Sequence, residues 1–333
     1  MNPTCPVNSD PGGLVAVVFP GQGAQTPGMG LDLARAYPAS AGVVFETADR
    51  VLGFRLSRII ATGDQRLLAQ TEITQPALLA ASLAAWQALR VELPRLSPAY
   101  AAGLSLGEYS ALAAAGALDP VSAFRLVAWR GRFMEDAARD NPGSMCAILG
   151  LERERVEAIC AEARAAGHGH VVIANYNAPG QNVITGERLA VQEASARAVA
   201  AGGRAVPLKI SGGFHSRLAT EARRRLTPLL ASTPWQRPDF PVYANATAQP
   251  HGDALDIARA LELQVTSPVL WEDIIRNMWA HGVRTFVECG PGRTLSSLIS
   301  RIVPGAVTVN VSDLATLVLA TATLDSYALE GVS

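Results

Sequence analysis

Gly103-Leu104-Ser105-Leu106-Gly107 sets a serine between two glycines, a spacing that suits a nucleophile on a sharp strand-to-helix turn. Such a turn brings backbone close on both sides of the serine, where any side chain beyond hydrogen would clash. The helix leaving it aims free N–H groups, and the positive end of its dipole, at negative charge developing nearby. The other reading of the same residues is a glycine-bounded bend between two buried segments. Catalysis therefore requires partners elsewhere: a base, an oxyanion site and something for a substrate to hold.

Among the five histidines, His215 best suits the base. It follows a strand and a glycine pair in "KISGGFHSRLA", at the mouth of the next helix, where glycines let a loop fold closely over a pocket. Its alternative is a satisfied structural histidine. His168 and His170 sit in the solvated turn "GHGH", and His251 in another turn, "QPHGD". His281 lies at a helix end before Gly282, a structural place where histidine meets the dipole favourably.

The loop Phe19-Pro20-Gly21-Gln22-Gly23-Ala24-Gln25 follows a strand end, where ligands of open parallel sheets bind. No GK[ST] follows, so it is not a phosphate-binding loop. Its exposed N–H groups read as half of an oxyanion hole or as a plain strand-to-helix turn. Arg130, in "VAWRGRFM", stands on a largely apolar helix face with no acidic residue at helical spacing. It reads as a guanidinium held over a pocket to grip a carboxylate bidentately, or as a snorkelling or salt-bridged arginine.

Several elements must position these residues. "LVAVVF" (14–19) reads as a buried strand, "AYAAG" as the strand leading into Ser105, and "GEYSALAAAGAL" as the helix leading out. "TQPALLAASLAAWQAL" reads as a buried helix capped by Thr74, and "DPVSAFRLVAWRGRFMEDAA" as a helix capped by Asp119 with Pro120 in its first turn. From Ser144 to about Lys209 the order is strand, helix, strand, strand, helix, strand, ending in "RAVPLKI". That βαββαβ order is ferredoxin-like. The α/β pattern then resumes with the expected strands "FPVYANA" and "VRTFVECG". The predicted architecture is a large α/β-hydrolase-like domain with a parallel sheet (1–142 and 210–333) and a small inserted ferredoxin-like domain (143–209).

Composition narrows the function classes. Hydrophobic residues make up 49% and charged residues 17% of 333, which is globular. The formal net charge is −1, with Lys209 the single lysine. That balance offers no attraction for nucleic acid or an anionic membrane. Cys5, Cys146, Cys160 and Cys289 lack CxxC spacing, so neither a disulfide framework nor a zinc site is expected. The N-terminus lacks the basic and apolar regions of a signal peptide, and the apolar run "LATLVLATATL" is too short to span a bilayer. A soluble cytoplasmic protein is expected.

Together, "VFPGQGAQ", "TQPALLAAS", "GLSLGEYSALAAAGAL", "WRGRFM", "ANYNAPGQNVITG", "SGGFHS", "SPVLW" and "VECGPGRTLSSLI" resemble the malonyl-CoA:acyl carrier protein transacylase family, also seen as acyltransferase domains of polyketide synthases. The segments run in family order from about residue 14 to 303. The resemblance implies Ser105 as the acylated nucleophile, His215 as its base, and the backbone N–H groups of Gln22 and Leu106 as the oxyanion hole. It implies Arg130 as the clamp on the malonyl carboxylate and the Gln264 backbone carbonyl as the group orienting the histidine. Gln75, Asn175 and Asn177 match polar pocket positions. Phe214 matches malonyl-selecting members, a bulky ring excluding an α-methyl group.

The implied reaction is ping-pong transfer of malonyl from malonyl-CoA to the phosphopantetheine thiol of an acyl carrier protein, in fatty acid or polyketide synthesis. It needs no metal and no resident cofactor, malonyl-CoA being a substrate, and a monomer is expected. Two departures stand out: Leu104 where histidine is usual, and Gly213 where proline or another small residue often stands. The competing readings are an acyl hydrolase of the same fold that clears carrier proteins, a non-catalytic docking or scaffold subunit, and an unrelated GxSxG esterase. A hydrolase has little use for a carboxylate clamp, a scaffold needs none of Ser105, His215, Arg130 and Gln22, and an esterase leaves the small insertion unexplained.

Overall fold

The computed structural model describes residues 13–210 and 212–330; Cys5 and Ser211 lie outside the described residues. Eight strands form among them: β1 (Leu14–Phe19), β2 (Tyr100–Gly103), β3 (Gly143–Leu149), β4 (Val171–Ala178), β5 (Gln181–Glu187), β6 (Arg204–Pro207), β7 (Val283–Cys289) and β8 (Val307–Val311). They divide into two sheets, ordered β2-β1-β7-β8 and β4-β5-β3-β6. The first is parallel throughout, and the second antiparallel.

The continuous apolar run of β1 follows from burial on both faces, as parallel sheets require. Val17 and Phe19 point into a core shared with the helix Thr71–Glu92, while Ala16 and Val18 point into a second core containing Trp271, Ile274 and Ile299. Phe19 pairs with Gly103 in register, so β1 and β2 end side by side at their carboxyl ends. The loops that follow, Pro20-Gly21-Gln22 and Leu104-Ser105-Leu106, therefore emerge together.

The second sheet alternates in the same way. Cys146, Ile148 and Ile184 enter a small core beneath the helices Arg153–Ala165 and Arg188–Ala200. Met145, Ala147 and Val183, from the opposite face, line a cleft against the first sheet's loops. A bridge between Pro142 and Gly212 holds the chain's entry to this sheet beside its exit. Tyr176 N–H donates to Val269 O and Val269 N–H to Ala174 O, which ties β4 to the loop after the helix Ala254–Gln264.

Some elements differ from the expectation. The first long helix starts at Thr71, so Thr74 lies inside it, its hydroxyl donating to Leu68 O rather than capping. The helix after Ser105 ends at Ala114, short of Ala117-Leu118, because the chain turns at Gly116 with φ 74°. "RAVPLKI" is regular strand only to Pro207, although Leu208 N–H still donates to Met145 O at 3.0 Å. "FPVYANA" forms isolated bridges rather than a strand: the chain reverses through Ala248, at φ 53°, and Tyr243 pairs with Pro250. Strand β8 went unanticipated. The Asp119 cap holds, its carboxylate accepting from Val121 and Ser122 N–H.

The apolar C-terminal run is the helix Leu314–Glu330, and among the described residues no helix is long and apolar enough to cross a membrane. Cys146, Cys160 and Cys289 are free and buried. Burial pushes the Cys160 thiol up to about 12 and raises Cys289 as well, so neither is poised as a thiolate.

Candidate active site

Ser105 sits on the elbow between β2 and the helix Gly107–Ala114 with φ 55°. His215 has φ 57°, and only Ala248 joins them among the described non-glycine residues at positive φ. Each such residue costs on the order of 1–3 kcal/mol and persists where its surroundings over-determine it. At the elbow, Ser105 N–H donates to Asn245 Oδ1 at 2.6 Å, and Ser105 O accepts from Gln264 Nε2 at 2.9 Å. Asn245 Nδ2 also donates to Gly103 O at 2.7 Å. A Cβ on Gly103 would fall 1.9 Å from Gly107 backbone, and one on Gly107 would fall 2.1 Å from Phe19 O. Only hydrogens fit at the glycines on either side of Ser105.

His215 Nε2 lies 2.9 Å from Ser105 Oγ. Its Nδ1 faces two backbone carbonyls, Gln264 O at 3.0 Å and Ser267 O at 3.1 Å. Carbonyls only accept, so Nδ1 carries the proton and Nε2 presents its lone pair to the serine hydroxyl. Two backbone acceptors thus do the orienting work of the carboxylate in a Ser-His-Asp triad. Burial, followed by the nearby Arg130 charge, lowers His215 from 6.5 to about 4. The imidazole is neutral at neutral pH, as a base must be, and is lost as base only when pH falls through about 4. We predict that kcat/KM is flat between about pH 5 and 8 and falls below that range. An acid limb centred near the ordinary histidine value of 6.5 would contradict this environment.

Arg130 is 1% exposed, neither snorkelling nor salt-bridged. Nη1 donates to Gln75 Oε1 at 2.7 Å, and Nη2 donates to Gln264 Oε1 at 3.0 Å and Ser105 Oγ at 3.1 Å. The Tyr109 ring lies 5.4 Å from its guanidinium carbon. Its polar partners are thus two carboxamides and a hydroxyl rather than a carboxylate, and Nε has no partner among the described residues. Burial holds its pKa below the usual arginine range.

Ser105, Leu106, Gln22, Arg130, Phe214, His215, Asn175 and Asn177 line one cleft of about 270 Å³ between the two sheets. Gln22 and Leu106 meet there because Gly21 rests on the elbow: a Cβ at Gly21 would fall 2.3 Å from Leu104 O. Neither the Gln22 nor the Leu106 N–H donates to a protein acceptor among the described residues, which leaves both available to an oxyanion. Leu104 lines the cleft as an apolar wall. Gln75 is a correction: it does not line the cleft but stands behind Arg130, its Nε2 against Met134 Sδ at 3.4 Å. The Gln264 side chain likewise holds Arg130 from behind, in addition to its carbonyl's contact with His215.

Two further expectations concern histidines. His281 is structural, its Nδ1 2.8 Å from Tyr243 Oη and its ring stacked on Tyr100. His251 is no solvated turn residue: its side chain is fully buried, with Nε2 2.9 Å from Glu108 Oε1. Glu108 and Asn245 went unnoticed in the sequence. Glu108 reads there as an ordinary acid in a helix's first turn, and Asn245 was hidden within an expected strand.

Known proteins resemble this chain along nearly its whole length. The acyl transferase domain family matches residues 16–318. The malonyl CoA-acyl carrier protein transacylase of Haemophilus influenzae is 40% identical over 305 residues, 90% of this chain and 96% of that protein. The crystal structure of the malonyl-CoA:acyl carrier protein transacylase of Xanthomonas oryzae superposes with a TM-score of 0.88 at 39% identity, covering 93% of this chain and 98% of that one. A malonyl-transacylase solved in complex with a type II polyketide synthase acyl-carrier protein gives a TM-score of 0.89 at 39% identity, covering 93% and 99%. A nucleophile elbow, a histidine oriented by backbone carbonyls and a buried arginine beside the serine accompany that likeness, and the chain belongs to the malonyl-CoA:acyl carrier protein transacylase family of acyl transferase domains.

Proposed function

We propose that this protein transfers a malonyl group from malonyl-CoA to the phosphopantetheine thiol of an acyl carrier protein through an acyl-serine at Ser105. One observation carries the choice of acyl group. A fully buried guanidinium, held by two carboxamides and lacking a carboxylate partner, lies 3.1 Å from the nucleophile. A substrate carboxylate at that fork completes a charge-assisted pair in a desolvated site, which a neutral acyl group cannot do. Phe214, 6% exposed and on the cleft wall, places a ring where an α-methyl group would crowd it.

The steps follow from the geometry. Ser105 Oγ attacks the thioester carbonyl as its proton passes to His215 Nε2. Gln22 and Leu106 N–H receive the oxyanion. The C–S bond then breaks, and coenzyme A leaves as its sulfur takes the proton from Nε2. In the second half the carrier thiol gives its proton to Nε2 and attacks the acyl-serine carbonyl. The C–Oγ bond breaks and Oγ recovers the proton. No metal or resident cofactor enters these steps.

We also read residues 143–209, where the βαββαβ order gives the sheet β4-β5-β3-β6, as a ferredoxin-like domain inserted into an α/β-hydrolase-like one of residues 1–142 and 210–333. A cytoplasmic monomer fits that reading.

Intact mass spectrometry with malonyl-CoA and acetyl-CoA, each with and without carrier protein, tests the reading. A malonyl adduct that persists in buffer and moves to the carrier is expected. An acetyl adduct that forms and is soon lost to water, with malonyl ignored, would instead make this an editing hydrolase and leave Arg130 unexplained.

A further inference from the structure

Glu108 and His251 are buried titratable groups that acyl transfer does not use. Glu108 follows the nucleophile by three residues, in the first turn of the helix Gly107–Ala114, and its side chain is fully buried. Its Oε2 accepts from Asn245 N–H at 3.0 Å and from Gln264 Nε2 at 2.7 Å. Its Oε1 faces His251 Nε2 at 2.9 Å, within ion-pair reach though off the line of a hydrogen bond.

A carboxylate accepts two ways and, ionised, donates none, so it dictates which end of the Gln264 carboxamide turns toward it. With Nε2 directed at Glu108 Oε2 and Ser105 O, the amide oxygen is left for Arg130 Nη2 at 3.0 Å. The reversed amide would set an oxygen against a carboxylate and a carbonyl, and N–H donors against a guanidinium. Every one of those contacts is repulsive.

We infer that Glu108, held in place by His251, is a positioning residue for carboxylate selection: it fixes the Gln264 carboxamide, and Gln264 fixes the Arg130 guanidinium beside Ser105. The inference rests on Arg130 being the carboxylate clamp. Without His251, the inner oxygen of Glu108 is buried and uncompensated. The carboxylate then shifts away from Gln264 Nε2, and the carboxamide that supports Arg130 keeps only the Ser105 O anchor. Arg130 thereby loses its support, while Ser105 N–H keeps Asn245 Oδ1 and His215 keeps its two carbonyls.

The test compares His251→Leu, His251→Gln and Arg130→Ala in acylation by malonyl-CoA and by acetyl-CoA, with folding checked by circular dichroism. His251→Leu is expected to raise KM for malonyl-CoA roughly tenfold or more, and to leave acetyl-CoA acylation within about threefold of the parent. His251→Gln can turn a carboxamide N–H toward Glu108 Oε1 and should restore malonyl KM to within about threefold. A fall in both substrates together, or no change in either, overturns the inference. Should His251→Leu fail to fold, Glu108→Ala gives the same reading, since it removes the oxygen that accepts from both Asn245 N–H and Gln264 Nε2. An unchanged malonyl-to-acetyl ratio in that variant also overturns the inference. If instead Arg130→Ala itself leaves the ratio unchanged, the clamp reading has failed, separately from the role of Glu108.

Discussion

Ser105→Ala is expected to abolish the covalent acyl adduct and to lower transfer by about 10⁴-fold or more, the scale on which removing a nucleophile costs a hydrolase of comparable chemistry. The loss should be purely chemical. Alanine lacks only Oγ, which in the parent meets His215 Nε2 at 2.9 Å and Arg130 Nη2 at 3.1 Å. The backbone contacts that hold the elbow, from Asn245 Oδ1 and Gln264 Nε2, remain. Intact mass after mixing with malonyl-CoA checks this directly, and an adduct surviving in the variant would place the nucleophile elsewhere. The buried thiols of Cys146, Cys160 and Cys289 offer no substitute, since none lines the cleft.

Arg130→Ala should have the second largest effect, and a selective one. Removing one partner of a buried charge pair costs on the order of 2–5 kcal/mol. The expected result is a fall of roughly 10²–10³-fold in kcat/KM for malonyl-CoA, with acetyl-CoA little affected. Arg130→Lys should not rescue it, because a single ammonium cannot meet Gln75, Gln264 and a carboxylate with the planar fork that guanidinium provides. A second readout follows from the histidine. Burial lowers His215 most and the Arg130 charge lowers it further, so removing that charge lets its pKa rise from about 4 toward the ordinary value. The acid limb of the pH profile should therefore move to higher pH in Arg130→Ala. Full malonyl preference in this variant would remove the clamp from the mechanism.

The features legible in the sequence were those whose physics is local. Gly103 and Gly107 announce close backbone approach around Ser105, because only glycine survives contacts near 2 Å. Asp119-Pro120 announces a helix start, since one cap and one fixed φ act within three residues. The run of β1 announces a strand buried on both faces, and the βαββαβ order announces the second sheet. Arg130 was conspicuous as a charge on an apolar helix face without a local partner.

Only the tertiary structure decided what surrounds those groups. Gln75 and Gln264 reach Arg130 across 55 and 134 residues of chain, and Asn245 reaches Ser105 across 140. No periodicity encodes such meetings, and a carboxamide looks the same in sequence whether it faces solvent or a guanidinium. The carbonyls of Gln264 and Ser267 that orient His215 leave no residue-type signal, because every residue carries one. His251 reads as a turn because its neighbours are proline and glycine, yet the fold buries its ring against Glu108. The sequence by itself singled out Ser105 and His215 as candidates and marked most of the elements that carry them, since propensity and sterics act over a few residues. Burial and partnership of the polar groups came from packing, which brings together side chains that nothing in the linear order relates.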